Sequence, residues 1–145
     1  TLPQELVDVA KGFKEYLSVI PESKIAMEVG VSAMHDVTEG GVFGALWELG
    51  EASGVGITAH LDKIPIKQET IEVCEVFKIN PYMLISSGSM MIGCEKGNLL
   101  VEKLEEAGIN AAVIGRATEG NDRIVVSRDE TRYIGPAGSD ELYKI

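Results

Sequence analysis

The chain has 145 residues, 45% hydrophobic and 25% charged, and a chain of this length can bury roughly 68% of its unfolded surface, so a packed core is expected without staples. A formal net charge of −10, from 23 acidic against 13 basic side chains, repels a nucleic-acid backbone and leaves nucleotide binding open, because a bound phosphate answers to local dipoles and ions. Cys74 and Cys94 form no C-x-x-C pair and no apolar run approaches the roughly 20 residues of a membrane span, which argues against metal, redox and membrane roles and for a cytoplasmic protein.

In chain order, residues 1–17 read as a first helix, with Thr1 and Gln4 in capping-box spacing, Pro3 in the first turn and Leu6, Val9, Phe13 and Leu17 on one stripe. PESKIAMEVG reads as a short helix stopped by Gly30, and VSAMH as a strand. DVTEGGVFGALWELGEASG runs from a turn rich in Asp, Thr and Gly into a helix closed by Gly54, and VGITAHL alternates like a half-buried strand. KQETIEVCEVFKI is amphipathic and ends at Asn80-Pro81. SGSMMIGCE reads as a strand, KGNLLVEKLEEAG as a helix, INAAVIGRAT and DRIVVS as strands, and TRYIGP as one more short strand before a tail from Gly135 to Ile145.

No repeat or linker divides residues 1–145, so a single domain is expected. The irregular alternation of strands and helices, with a hairpin-like pair near the end, favours an α+β fold with helices layered on a mixed sheet over a doubly wound one. Cys74 and Cys94 sit on apolar faces and read as buried, reduced thiols. Trp47 and Phe43, four apart on one helix, read as core.

The densest candidate for chemistry is His35-Asp36-Val37-Thr38-Glu39-Gly40-Gly41, where a strand ends and a helix begins. Paired glycines allow close backbone approach, and the first-turn N–H groups with the helix dipole favour an anion, most naturally a phosphate. Asp36 could orient Mg²⁺ or its water, and Thr38 could cap the helix or donate to a phosphoryl oxygen. The string matches neither the P-loop nor the G-x-G-x-x-G spacing, and a structural turn built on an Asp or Thr cap stands as the alternative. His35 lacks, in the sequence, a third group to orient it as a base.

AMHDVTEGGVFGALWELGEASGVGI resembles the signature opening the C-terminal domain in the aminoimidazole ribonucleotide (AIR) synthase superfamily. NPYMLISSGSMMIG is similar to that group's second block, in which Ser-Gly enters a central strand, and AAVIGRATEGNDRIVV to its closing strand pair. The resemblance is closest to the hydrogenase-maturation branch, because His-Asp precedes the Thr and Asn-Pro precedes the Ser-Ser-Gly. It implies a partly ferredoxin-like topology and, in a longer protein, an N-terminal domain that binds ATP and Mg²⁺, phosphoryl transfer to a substrate oxygen, and a homodimer. Asp36 and Thr38 would be catalytic, and Gly40, Gly41, Ser87 and Gly88 would face the cofactor, with no metal ligand set in this chain.

Thr1 in place of Met suggests a chain trimmed from that longer protein, so this domain alone is expected to bind ATP weakly and to lack turnover. The maturation branch carries its chemistry on a C-terminal cysteine, whereas no cysteine follows Cys94 here; if Ile145 is the natural end, a relative of the maturation enzyme is expected rather than the enzyme itself. The rival classes are a non-catalytic regulatory or protein-interaction module that keeps the fold, and a small-molecule sensor using the same turn.

Overall fold

A computed structural model describes residues 2–145. Helix α1 (Gln4–Gly12) gives way at Gly12 to a 3-10 turn, Phe13–Tyr16. The sequence predicts one continuous helix here; a glycine inside it costs about 1 kcal/mol relative to alanine, and the tighter turn takes over from that point. Pro3 is the N-cap residue, with no side-chain cap, and the capping box predicted from Thr1 lies outside the described residues. Helix α2 (Ile20–Val29) carries Pro21 in its first turn and stops at Gly30, whose φ of +92° suits glycine.

Strand β1 (Ala33–Asp36) leads through the glycine turn into α3 (Gly41–Ser53), followed by β2 (Gly56–His60) and α4 (Gln68–Phe77). Helix α4 ends before Asn80: Lys78 takes a left-handed conformation and donates its N–H to Cys74 and Glu75 carbonyls, while Asn80 caps the next 3-10 turn, Pro81–Met83. Then come β3 (Met90–Gly93), α5 (Gly97–Glu106), β4 (Gly115–Thr118), β5 (Arg123–Ser127) and β6 (Glu130–Tyr133). Residues 109–114, predicted as strand, lie outside the ladder. Strand β2 is short: its pairing with β4 stops at Ala59 opposite Gly115, and it ends at His60, whose N–H donates to the Ile114 carbonyl at 2.7 Å, so the residues before Ile114 run past its end.

The fold is α+β, with helices layered on a mixed sheet. In that four-stranded sheet, ordered β4-β2-β5-β6, β2 and β5 are parallel and the other neighbours antiparallel, while β1 and β3 form a separate antiparallel pair. Phe43 and Leu46 of α3 pack onto Ile57, Ala59 and Val125 of the larger sheet. Ala26 of α2 and Leu100 and Leu104 of α5 make a second cluster against Ile92 and Cys94. Phe43 is core as expected, and Trp47 is half-buried.

At the far end of α3, Arg123 reaches from β5 over Gly50 and its Nη1 lies 3.0 Å from Glu51 Oε2, with only 10% of its side chain exposed. A cation at a helix C-terminus is favourable for the macrodipole, so this arginine ties the sheet to the helix end. The residues after Gly135 are no loose tail. They turn into a 3-10 segment, Glu141–Lys144, and bury two carboxylates, Asp140 at 2% exposure and Glu141 at 4%.

Two expectations test this packing. A Cβ on Gly41, at φ +63°, would stand 2.6 Å from both the Tyr82 and Leu84 carbonyl oxygens, whereas one on Gly54, at φ +64°, would meet open space. Gly54→Ala should therefore lose only the left-handed penalty of about 1–2 kcal/mol, and Gly41→Ala about 3 kcal/mol or more, because backbone must shift. Urea denaturation midpoints measure both, and equal losses would contradict the packing. Cys74 is 1% exposed, and burial, then the nearby Glu141 charge, pushes its thiol pKa up. Cys94 is only half-buried, contrary to the sequence reading, because it flanks the second cluster. Under native conditions a thiol reagent should label Cys74 slowly and Cys94 faster.

Candidate functional site

Strand β1 delivers the site. Its register sets Asp36 opposite Met90, and the ladder runs one step further, with Val37 N–H donating to the Ser89 carbonyl at 2.9 Å. Val37, at 2% exposure, anchors that step. The two sequence blocks predicted to carry function, residues 35–41 and 87–88, thereby meet at one end of the β1/β3 pair. Asp36, Thr38 and Ser87 are all exposed there, the Asp36 side chain at 65%.

The turn that follows needs glycine. Gly40 and Gly41 have φ of +81° and +63°, a region costly for other residues, and Gly41 N–H bonds back to the Thr38 carbonyl at 3.1 Å. Both missing side chains leave room for the chain itself: Ala137 lies against Gly40, and the 82–84 backbone lies against Gly41. Gly88, at φ +95°, is likewise pressed against the backbone of Tyr16 and Leu17.

The Gly40 N–H, predicted to face a phosphate, donates to Asp140 Oδ2 at 2.7 Å in a buried hydrogen bond. Asp140 Oδ1 accepts from Leu142 N–H at 2.8 Å, Glu141 Oε2 accepts from Asn80 N–H at 3.2 Å, and the Tyr143 hydroxyl bonds Glu39 Oε1 at 3.2 Å. Lys144 pairs with Glu141, and this contact, opposed by burial and reinforced by Asn80, holds the Glu141 carboxyl below the usual carboxylate range. The Glu39 carboxylate pushes the Tyr143 hydroxyl above its ordinary value. None of these partners of the turn had a signal in the sequence, because residues 135–145 carry no periodicity.

His35 does have an orienting group. Its Nε2 lies 2.9 Å from Glu48 Oε2 on α3, and its Nδ1 lies 2.5 Å from the Asp36 carbonyl oxygen. Both ring nitrogens face acceptors, so the ring braces β1 against α3.

A cavity of about 920 Å³ opens between the β1/β3 pair and the larger sheet, lined by Val37, Leu46, Ala59, Met91, Leu104 and Ile114 among others. Gly88 and Ser89 also line it, whereas Asp36, Thr38 and Gly40 lie outside. Among the described residues no group of three or more His, Cys, Asp or Glu side chains could hold a metal ion, and no helix is long and apolar enough to cross a membrane.

Residues 3–127 match the family model described as AIR synthase related protein, C-terminal domain. A protein of Methanocaldococcus jannaschii, provisionally named a hydrogenase expression/formation protein, is 33% identical over 102 residues, which cover 68% of this chain and 30% of the relative. The crystal structure of Escherichia coli HypE, a hydrogenase maturation protein, aligns at TM-score 0.75 and 23% identity over 87% of this chain and 42% of that one. A HypE solved in complex with ATP aligns at TM-score 0.71 and 19% identity over 84% of this chain and 40% of that one. The chain thus covers less than half the length of each of these proteins. Match and fold together make this chain a member of the AIR synthase related family, corresponding to its C-terminal domain.

Proposed function

We propose that this chain is a single C-terminal domain forming one wall of a cleft in an ATP-dependent, hydrogenase-maturation-related enzyme that transfers a phosphoryl group to a substrate oxygen. The observation that supports the reading is that Asp36 and Thr38 stand exposed at the end of the β1/β3 pair, where Val37 N–H reaches the Ser89 carbonyl two residues from the exposed Ser87. An N-terminal domain, in cis, supplies most of the ATP and Mg²⁺ site, and the whole protein works as a cytoplasmic homodimer.

The residues at hand fit that division of labour. Asp36 presents an exposed carboxylate, its side chain 65% in solvent, suited to a hard cation or its bound water. One such ligand does not hold a metal by itself. Bound Mg²⁺-ATP would supply the phosphoryl group and neutralise its charge. This wall would contribute orientation: Asp36 fixing a cation or water, the Thr38 and Ser87 hydroxyls donating to phosphoryl or substrate oxygens, and Gly40, Gly41 and Gly88 shaping the backbone. Phosphoryl transfer is catalysed chiefly by such positioning and charge stabilisation.

The isolated chain should melt cooperatively and release no phosphate from ATP. Turnover that follows the chain through purification would end the reading of it as half an enzyme. In the protein containing both domains, Asp36→Ala should lower ATP-dependent turnover at least tenfold, about 1.4 kcal/mol of transition-state stabilisation. Its stability should change little, because the N-cap of α3 is Gly40 and no side chain caps the helix from within the turn. Unchanged turnover with a loss of roughly 0.5–2 kcal/mol of stability, as for a lost cap, would make the turn structural and favour the non-catalytic module.

A further inference from the structure

We propose that the cavity between the two core clusters binds a small cationic amphiphile, an apolar body carrying one protonated nitrogen, with Glu22 receiving the nitrogen. Asp36 and Thr38 do not line this cavity, so the site stands apart from the phosphoryl-transfer reading. Leu46 belongs to one core cluster and Leu100 and Leu104 to the other, yet all three line the same space. Its volume of about 920 Å³ falls within the roughly 300–1,000 Å³ of pockets that enclose a small organic molecule. Strand β3, Met-Met-Ile-Gly, lines the cavity along its whole length, and none of its four residues is fully buried. Its apolar surface is thus offered to a guest, and two adjacent methionines can repack around guests of differing shape.

The charge of the guest follows from Glu22. This residue stands half-buried in the first turn of α2 and lines the cavity, and its Oε2 is shielded from solvent with no hydrogen-bond partner among the described residues. A buried acceptor without a donor is costly, the more so for a carboxylate oxygen. The terminal carboxylate torsion is broad, so the oxygen can turn to a donor arriving through the cavity, and an ammonium group brings both the donor and the opposite charge. The other charged side chains of the wall, Glu95 and Arg116, are exposed and of opposite sign. Glu22 therefore sets the preference for a cation.

Nuclear magnetic resonance of the methyl-labelled 145-residue chain, titrated in turn with n-octylamine, 1-octanol and octanoate, tests the site. Octylamine should shift the Leu46, Met91 and Leu104 methyl signals saturably, and should slow thiol labelling of Cys94, which lines the cavity, but not of Cys74, which does not. Octanol should bind more weakly, and octanoate more weakly still. Glu22→Gln keeps the shape and removes the charge, so it should weaken octylamine binding about tenfold and leave octanol binding nearly unchanged. Arg116→Gln removes an exposed cation and should tighten octylamine binding about twofold, which reads the charge preference even if Glu22→Gln folds poorly. No saturable shift of these methyl signals with any of the three probes would overturn the site. Octanoate binding as tightly as octylamine, or octylamine binding unchanged in the folded charge variants, would overturn the assignment to a cationic guest.

Discussion

Helix α3 lies across both sheets because three glycines, Gly40, Gly41 and Gly44, stand where its start meets other parts of the chain. A methyl group on Gly40 would stand 2.7 Å from the Ala137 methyl, one on Gly41 would meet two carbonyl oxygens, and one on Gly44 would lie 3.2 Å from Ala137. Interiors packed to crystal density have no slack for such atoms. The same bare turn lets β1 stop at Asp36 and the chain reverse within four residues, so that Asp36 and Thr38 stay in solvent while Val37 and Phe43 are drawn into the interior. Positions of the exposed polar groups are therefore a by-product of how closely the backbone is packed beneath them.

Burying two adjacent carboxylates is costly unless each finds donors, and a buried charge left unpaired would shift its pKa or unfold the segment. Asp140 accepts from two backbone N–H groups, and Glu141 from Asn80 N–H and Lys144. Because the folded Glu141 carboxyl sits below its ordinary value, its contribution is present above the usual carboxylate range and is lost as the pH falls through its lowered value. The thiol of Cys74 feels that same charge from the other side. The C-terminal segment is thus tied by hydrogen bonds to Asn80, just beyond α4, as well as to the glycine turn.

Much of the architecture was legible in the residues. The helices at Gln68–Phe77 and Gly97–Glu106 follow from apolar spacing, and strands β2 and β5 from alternation or apolar runs flanked by turn residues. The meeting of the 35–41 and 87–88 blocks was legible only through the family resemblance, since pairing between strands more than 50 residues apart leaves no local pattern. What escaped has a common cause. Glu48 beside His35, Arg123 over Gly50, and Asp140 and Glu141 under the turn are polar residues whose partners lie far away in sequence, and periodicity reports burial of apolar faces and nothing about which charge meets which donor. The two glycines were legible as a turn, while the atoms that fill the space beside them were not.

The hydrogen bond from Gly40 to Asp140 joins residues 100 positions apart in a chain of 145. Loop closure costs grow only with the logarithm of length, about 0.6 kcal/mol for each doubling, so the span is a minor thermodynamic burden. Its weight is kinetic, because contacts of such separation form late and depend on everything between them being in place. During synthesis from the N-terminus the turn exists, with its N–H groups uncovered, for as long as the rest of the chain takes to be made. Only after Asp140 has been translated can it close.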